Sequence, residues 1–154
     1  MTYEELLLEN DDLIIEELDL SEVDNLKGIY IDGMIAIHNG ISSSMEKACI
    51  LAEELGHHYT SNGNILDQSN VENRKQERHA RLWAYHCMLN LDRLIEAANY
   101  GCHTLYETAD FLGVTEDFLT DAIEAYRNQY GIGVMLDHYW IQFVPNLRVF
   151  KYHS

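Results

Sequence analysis

The sequence predicts an α+β fold: a β-hairpin near the start, helices through the middle and a short β tail. Three observations carry that prediction. Isoleucines flank an Asp32-Gly33 pair, apolar residues recur at helical spacing from Ala48 to Tyr126, and alternating apolar residues return after Gly131. A length of 154 residues with 47 % apolar content supports one domain with a real core. The expected organisation is a single domain over 1–154, with an acidic segment at 1–25 and a C-terminal β tail at 131–154.

Tyr3 to Leu8 reads as a short helix and Leu13 to Leu18 as a short strand. Lys27 to Ile41 reads as a β-hairpin, because Ile29 and Ile31 precede the tight-turn pair Asp32-Gly33 and Met34 to Ile37 follow it. Ser43 and Glu46 have capping-box spacing, so a helix starts there. Ala48, Leu51, Ala52 and Leu55 form its apolar stripe, with Ile50, Glu53, Glu54 and His57 on the adjacent face. It ends near Tyr59, before a Ser61-Asn62-Gly63-Asn64 loop. A second capping box, Ser69 with Glu72, opens a helix to about Leu89, striped by Ala80, Trp83, Ala84 and Cys87. Asp92 to Tyr100 is a third helix, stopped by Gly101. Thr104 to Tyr130 reads as helix, turn, helix about Gly113. Val134 to Phe143 is strand-like, Pro145 breaks it, and Val149 to Tyr152 adds an edge.

Formal charge is −16, from 26 acidic and 10 basic residues. Phosphate binding needs a cationic face, so direct nucleic-acid binding is not expected; basic protein partners, or simple solubility, are. The helix-turn-helix-like segment does not change this. Its second helix carries Glu116, Asp117, Asp121 and Glu124 against Arg127 alone, and would repel phosphates. No apolar run reaches the roughly 20 residues that span a bilayer, and the acidic N-terminus does not read as a signal peptide. Three cysteines, Cys49, Cys87 and Cys102, at unrelated spacings read as reduced thiols. The expected location is the cytoplasm, with no membrane partner.

The chemistry lies in Ala52-Glu53-Glu54-Leu55-Gly56-His57-His58. In H-E-x-x-H helices, two histidines one turn apart hold Zn²⁺ while the intervening Glu activates water. Here Glu53 holds the first histidine position, and Glu54-Leu55-Gly56-His57 fits the rest. Glu53 and His57, at i and i+4, lie about 6 Å apart along one face. A carboxylate binds zinc at nearly the same length as imidazole, and makes the site more anionic and the metal less Lewis-acidic. A third ligand has two candidates on the next helix. Glu77 shares a face with Ala80 and Ala84, and His79 lies about a quarter-turn or more away; Glu77 is preferred. Pairing Glu54 with His58 is the other register, and it leaves Leu55 where the base belongs. An E-E-x-x-H pattern by itself is also common on solvated helices. His38, His86, His103, His138 and His153 read as surface or structural residues. Tyr59 reads as core packing or as a polariser near the site.

Ala48 to Tyr59 and Gln76 to Ala84, taken as a pair in this order, resemble the ImmA/IrrE family of metallopeptidase-like proteins; the second stretch is similar to that family's E-x-x-A-x-x-[FW]-A helix. The resemblance covers roughly residues 26 to 130. It implies a zincin-like fold with the β-hairpin beside the active-site helix, and one Zn²⁺, expected to bind weakly because the ligand set holds one imidazole and two carboxylates. It also implies Glu54 as general base, with His57 and Glu77 as metal ligands beside Glu53. Glu53 is the departure, since most family members have His there. Such proteins are typically encoded in bacterial mobile elements, bacteriophages among them, or in stress-response loci. They are implied to cleave or otherwise inactivate a helix-turn-helix repressor. The expected function is therefore a zinc endopeptidase acting on a DNA-binding repressor. The alternative is a non-catalytic acidic module that sequesters one.

Overall fold

The computed structural model describes residues 1–61 and 70–152. They form two compact units, 1–87 and 88–154. The expected loop at 62–64, the Ser69–Glu72 capping box and His153 lie outside the described residues or side chains.

The first unit begins with α1 (Tyr3–Glu9), capped by the Thr2 hydroxyl, which accepts the Glu5 N–H. β1 (Ile14–Leu18), β2 (Gly28–Ile31) and β3 (Met34–His38) follow. The expected hairpin is β2 and β3, with Tyr30 opposite Ile35. Asp32 and Gly33 turn it, with φ of 51° and 80°. Two successive positive φ values match the right-handed strand twist, which is why Asp-Gly is favoured there. The hairpin is not alone: β1 adds in parallel to β3, and the sheet order is β1-β3-β2. Ile35 and Ile37 of the central strand are fully buried.

α2 (Ser44–Thr60) packs on α1, β2 and β3 through Leu51, Ala52 and Leu55, all fully buried. Each leucine buried this way contributes roughly 1.5–3 kcal/mol. Only half of the expected capping box forms. The Ser43 hydroxyl accepts the Glu46 N–H, but the Glu46 carboxylate pairs with Lys27 at 2.7 Å. A full positive charge outcompetes one backbone N–H for that carboxylate. α3 (Asn70–Met88) buries Ala80 and Ala84 completely.

The second unit contains α4 (Leu91–Tyr100), α5 (Leu105–Leu112), α6 (Glu116–Tyr130) and the antiparallel strands β4 (Gly133–Leu136), β5 (Tyr139–Gln142) and β6 (Arg148–Lys151). Gly101 and Gly113 end α4 and α5 at φ of 108° and 74°, where a side chain would strain the backbone. Leu94, Leu112, Leu119, Tyr126 and Phe143 form its core, and the buried Tyr126 hydroxyl donates to the Leu89 carbonyl at 2.8 Å. Glu116, Asp117, Asp121 and Glu124 occupy the exposed face of α6. The observed order is mixed α+β, as expected. Among the described residues, no helix is long and apolar enough to cross a membrane.

Candidate active site

The first unit builds the site on α2, α3 and β2. Gly56 sets the approach of the two helices. A Cβ at that position would lie 2.2 Å from the Ala80 carbonyl oxygen, so only glycine permits this spacing. With α2 and α3 this close, His57 Nε2 comes within 3.1 Å of Glu77 Oε1. Two of the expected site residues, distant in sequence, therefore meet. The His57 side chain is 17 % exposed and Glu77 is 53 % exposed, so the pair opens to solvent on the α3 side. Arg81 Nε lies 3.9 Å from the other Glu77 oxygen.

Glu54 sits on the sheet side. Gly28 of β2 passes over it, and a Cβ on Gly28 would lie 2.6 Å from Ile50 Cγ2 and 3.3 Å from Glu54 Oε1. Packing under the strand removes water from the Glu54 carboxyl. Burial pushes its pKa up to about 7; the nearby His57 opposes that rise, and the charges of Glu53 and Glu77 reinforce it. The hydrogen bond to Glu77 holds the His57 imidazole above its usual value against the effect of burial, and the carboxylates of Glu77, Glu54 and Glu53 add to this. The same hydrogen bond holds Glu77 below the usual carboxylate value. Opposite shifts in the two partners are what an imidazolium–carboxylate pair produces.

The remaining expected residues are placed differently. Glu53 is half-buried, and its charge acts on both Glu54 and His57. Among the described residues, however, no three His, Cys, Asp or Glu side chains are grouped so as to hold a metal ion. The His57–Glu77 separation of 3.1 Å is close to the roughly 3.3 Å between two ligands of one tetrahedral zinc. The pair therefore suits two positions of such a site, and Glu53 must join it to complete three protein ligands. His79 is exposed. His58 turns to the hairpin, its Nδ1 3.0 Å from the Tyr30 hydroxyl. Tyr59 is not core: it is 48 % exposed, stacks on Trp83 at 5.1 Å and donates its hydroxyl proton to Asn10 Oδ1. His38 is structural, with Nδ1 accepting the Leu20 N–H at 3.1 Å.

Two contributors went unread in the sequence. Arg81 stands one helical turn after Glu77, a spacing that signals an ion pair. Gly28 carries no local signal, because its role depends on how β2 lies over α2.

Comparison with curated proteins and with solved structures returned no match. A family model did match: the IrrE N-terminal-like domain, Peptidase M78, over residues 12–124. That span includes β1 to β3, α2 and α3, and so every residue of the site described above. It covers well over half of the chain, a metallopeptidase family implies a metal cofactor, and the chain belongs to this peptidase family, the IrrE N-terminal-like domains.

Proposed function

We propose that the protein is a metal-dependent endopeptidase whose substrate is a DNA-binding repressor, with Glu54 as general base. One observation carries this reading: the His57–Glu77 contact is assembled beside a carboxyl whose pKa lies at about 7. Proton transfer is most effective when the pKa of the base is near the working pH. An ordinary surface glutamate is too weakly basic for that role, and burial under Gly28 corrects it. The metal would be held by His57 and Glu77, with Glu53 as third ligand. When bound, zinc supplies Lewis acidity, lowering the pKa of water toward about 7 and polarising the scissile carbonyl. Glu54 accepts the proton of the attacking water and returns it to the leaving amine. β2 lies at a sheet edge, and an extended peptide can pair with such an edge through its backbone. That edge passes directly over Glu54, so a peptide bound there would run alongside the base.

Titration calorimetry with zinc and a cleavage assay on candidate repressors test the reading together. Glu77→Ala should abolish zinc binding, and His79→Ala should leave it within about threefold. Glu54→Gln should retain zinc and partner binding while cleavage falls by at least about 100-fold, the lower end of the usual range for a lost base. Full relief of repression in cells by Glu54→Gln would sink the catalytic reading in favour of sequestration.

A further inference from the structure

We infer that the exposed cationic face of α3 docks an acidic segment of the protein substrate beside the His57–Glu77 pair. The inference rests on the peptidase reading and adds a substrate class to it. Arg74, Lys75, Arg78 and Arg81 lie within eight positions and supply four of the ten cations in the chain. All four are exposed. Of the six cations elsewhere, Lys27, Lys47, Arg93 and Arg127 each hold a carboxylate within 2.6–2.8 Å, and Arg148 and Lys151, both on β6, hold none among the described residues. Among the described residues, Arg74, Lys75 and Arg78 make no ion pair, and Arg81 reaches only Glu77, at 3.9 Å.

Helix geometry joins this face to the site. Arg74, Arg78 and Arg81 are spaced i, i+4 and i+7 and share one stripe. Glu77 stands about 40° around the helix from Arg81, at roughly 100° per residue. On its other side lie the buried Ala80 and Ala84. Glu77 thus marks the border between the face packed in the fold and the cationic face. A chain passing the His57–Glu77 pair on its solvent side meets Arg81 and then Arg78. Like charges one turn apart oppose helix formation, so their clustering here does not serve the stability of α3.

A short acidic peptide fits better than a nucleic acid. Outside residues 74–81 the chain carries six cations against twenty-five acids. A long polyanion would extend into that field, whereas two to four carboxylates would meet the stripe alone, within a screening length of about 10 Å.

The test uses the full-length Glu54→Gln protein, so that bound peptide is not consumed. Three fluorescein-labelled synthetic peptides share an apolar centre and differ in an acidic, neutral or basic flank. Fluorescence anisotropy at 50 and 200 mM NaCl should give at least tenfold tighter binding for the acidic flank than for the basic one, with the margin shrinking at the higher salt. The triple variant Arg74→Glu, Lys75→Glu, Arg78→Glu should reverse the order, with its fold checked by circular dichroism. Arg78→Gln alone should reduce the preference about threefold. Equal binding of the three peptides, no binding of the acidic one, or tighter binding of a twelve-nucleotide single strand at the same face would overturn the inference. Cleavage by the native protein is scored separately. Flank preference without cleavage leaves the docking surface standing and defeats the peptidase reading, and cleavage without preference does the reverse.

Discussion

At the scale of single residues, the site stores an electrostatic cost that pH can expose. The Glu54 carboxyl titrates near 7 in the folded chain, against an ordinary value of 4.5. A raised acid pKa means that the folded state favours the protonated form. Its stabilising contribution is therefore complete below about pH 4.5 and is lost as pH rises through 7. His57, also raised, weakens its pair with Glu77 as pH climbs past its own elevated value, and Glu77, lowered, fails only on the acid side. Metal-free protein should thus be less stable at pH 8 than at pH 5, with Glu54 accounting for on the order of 2–3 kcal/mol. Glu54→Gln buries no charge and should recover most of that amount at pH 8 while changing little at pH 5. Urea unfolding in the presence of a chelator, at both pH values, measures it. Identical pH profiles for the two proteins would show that Glu54 is not desolvated.

At the scale of elements, the decisive contact is the α2–α3 approach at Gly56. Helix propensity alone favours alanine over glycine by about 1 kcal/mol. The Ala80 carbonyl oxygen, 2.2 Å from where the Cβ would sit, is backbone and cannot rotate away. Gly56→Ala should therefore push the helices apart and destabilise the protein by roughly 2 kcal/mol net. It should also separate His57 from Glu77 and weaken zinc binding at least tenfold. Chemical denaturation and zinc titration check the two effects. A variant as stable as the native protein, with unchanged zinc affinity, would mean that the helices tolerate a wider spacing than this contact implies. The hairpin, the cap at Ser43 and the glycine turns at 101 and 113 were legible in the sequence, because each depends on residues within a few positions. The parallel pairing of β1 with β3 was not, because it joins segments separated by β2 and the loops on either side of it.

At the scale of the whole molecule, charge dominates. A net charge of −16, with ten acids and no Lys or Arg in the first 24 residues, imposes self-repulsion on the folded state. Salt screens that repulsion, so the thermal midpoint at pH 8 should rise by roughly 3–5 °C between 20 and 200 mM NaCl. A falling midpoint would mean that surface ion pairs such as Lys27–Glu46 and Lys47–Glu17 outweigh the repulsion. Salt weakens association with basic and acidic partners alike, so salt dependence alone does not reveal the sign of the partner. Charge reversal on α3 does.

Spacing along the chain was enough to predict the mixed α+β order and the two motif helices. Those properties follow from helical period and turn chemistry, which are local. Only the tertiary structure decided the pKa of Glu54, the turn of His58 toward Tyr30 and the contact of His57 with Glu77. Each of these depends on what a neighbouring element places against the side chain. Desolvation by β2, a hydroxyl from the hairpin and a carboxylate from α3 come from segments whose approach no residue spacing records. The glycines at 28 and 56 are where that approach is closest, and in the sequence they are indistinguishable from any other glycine.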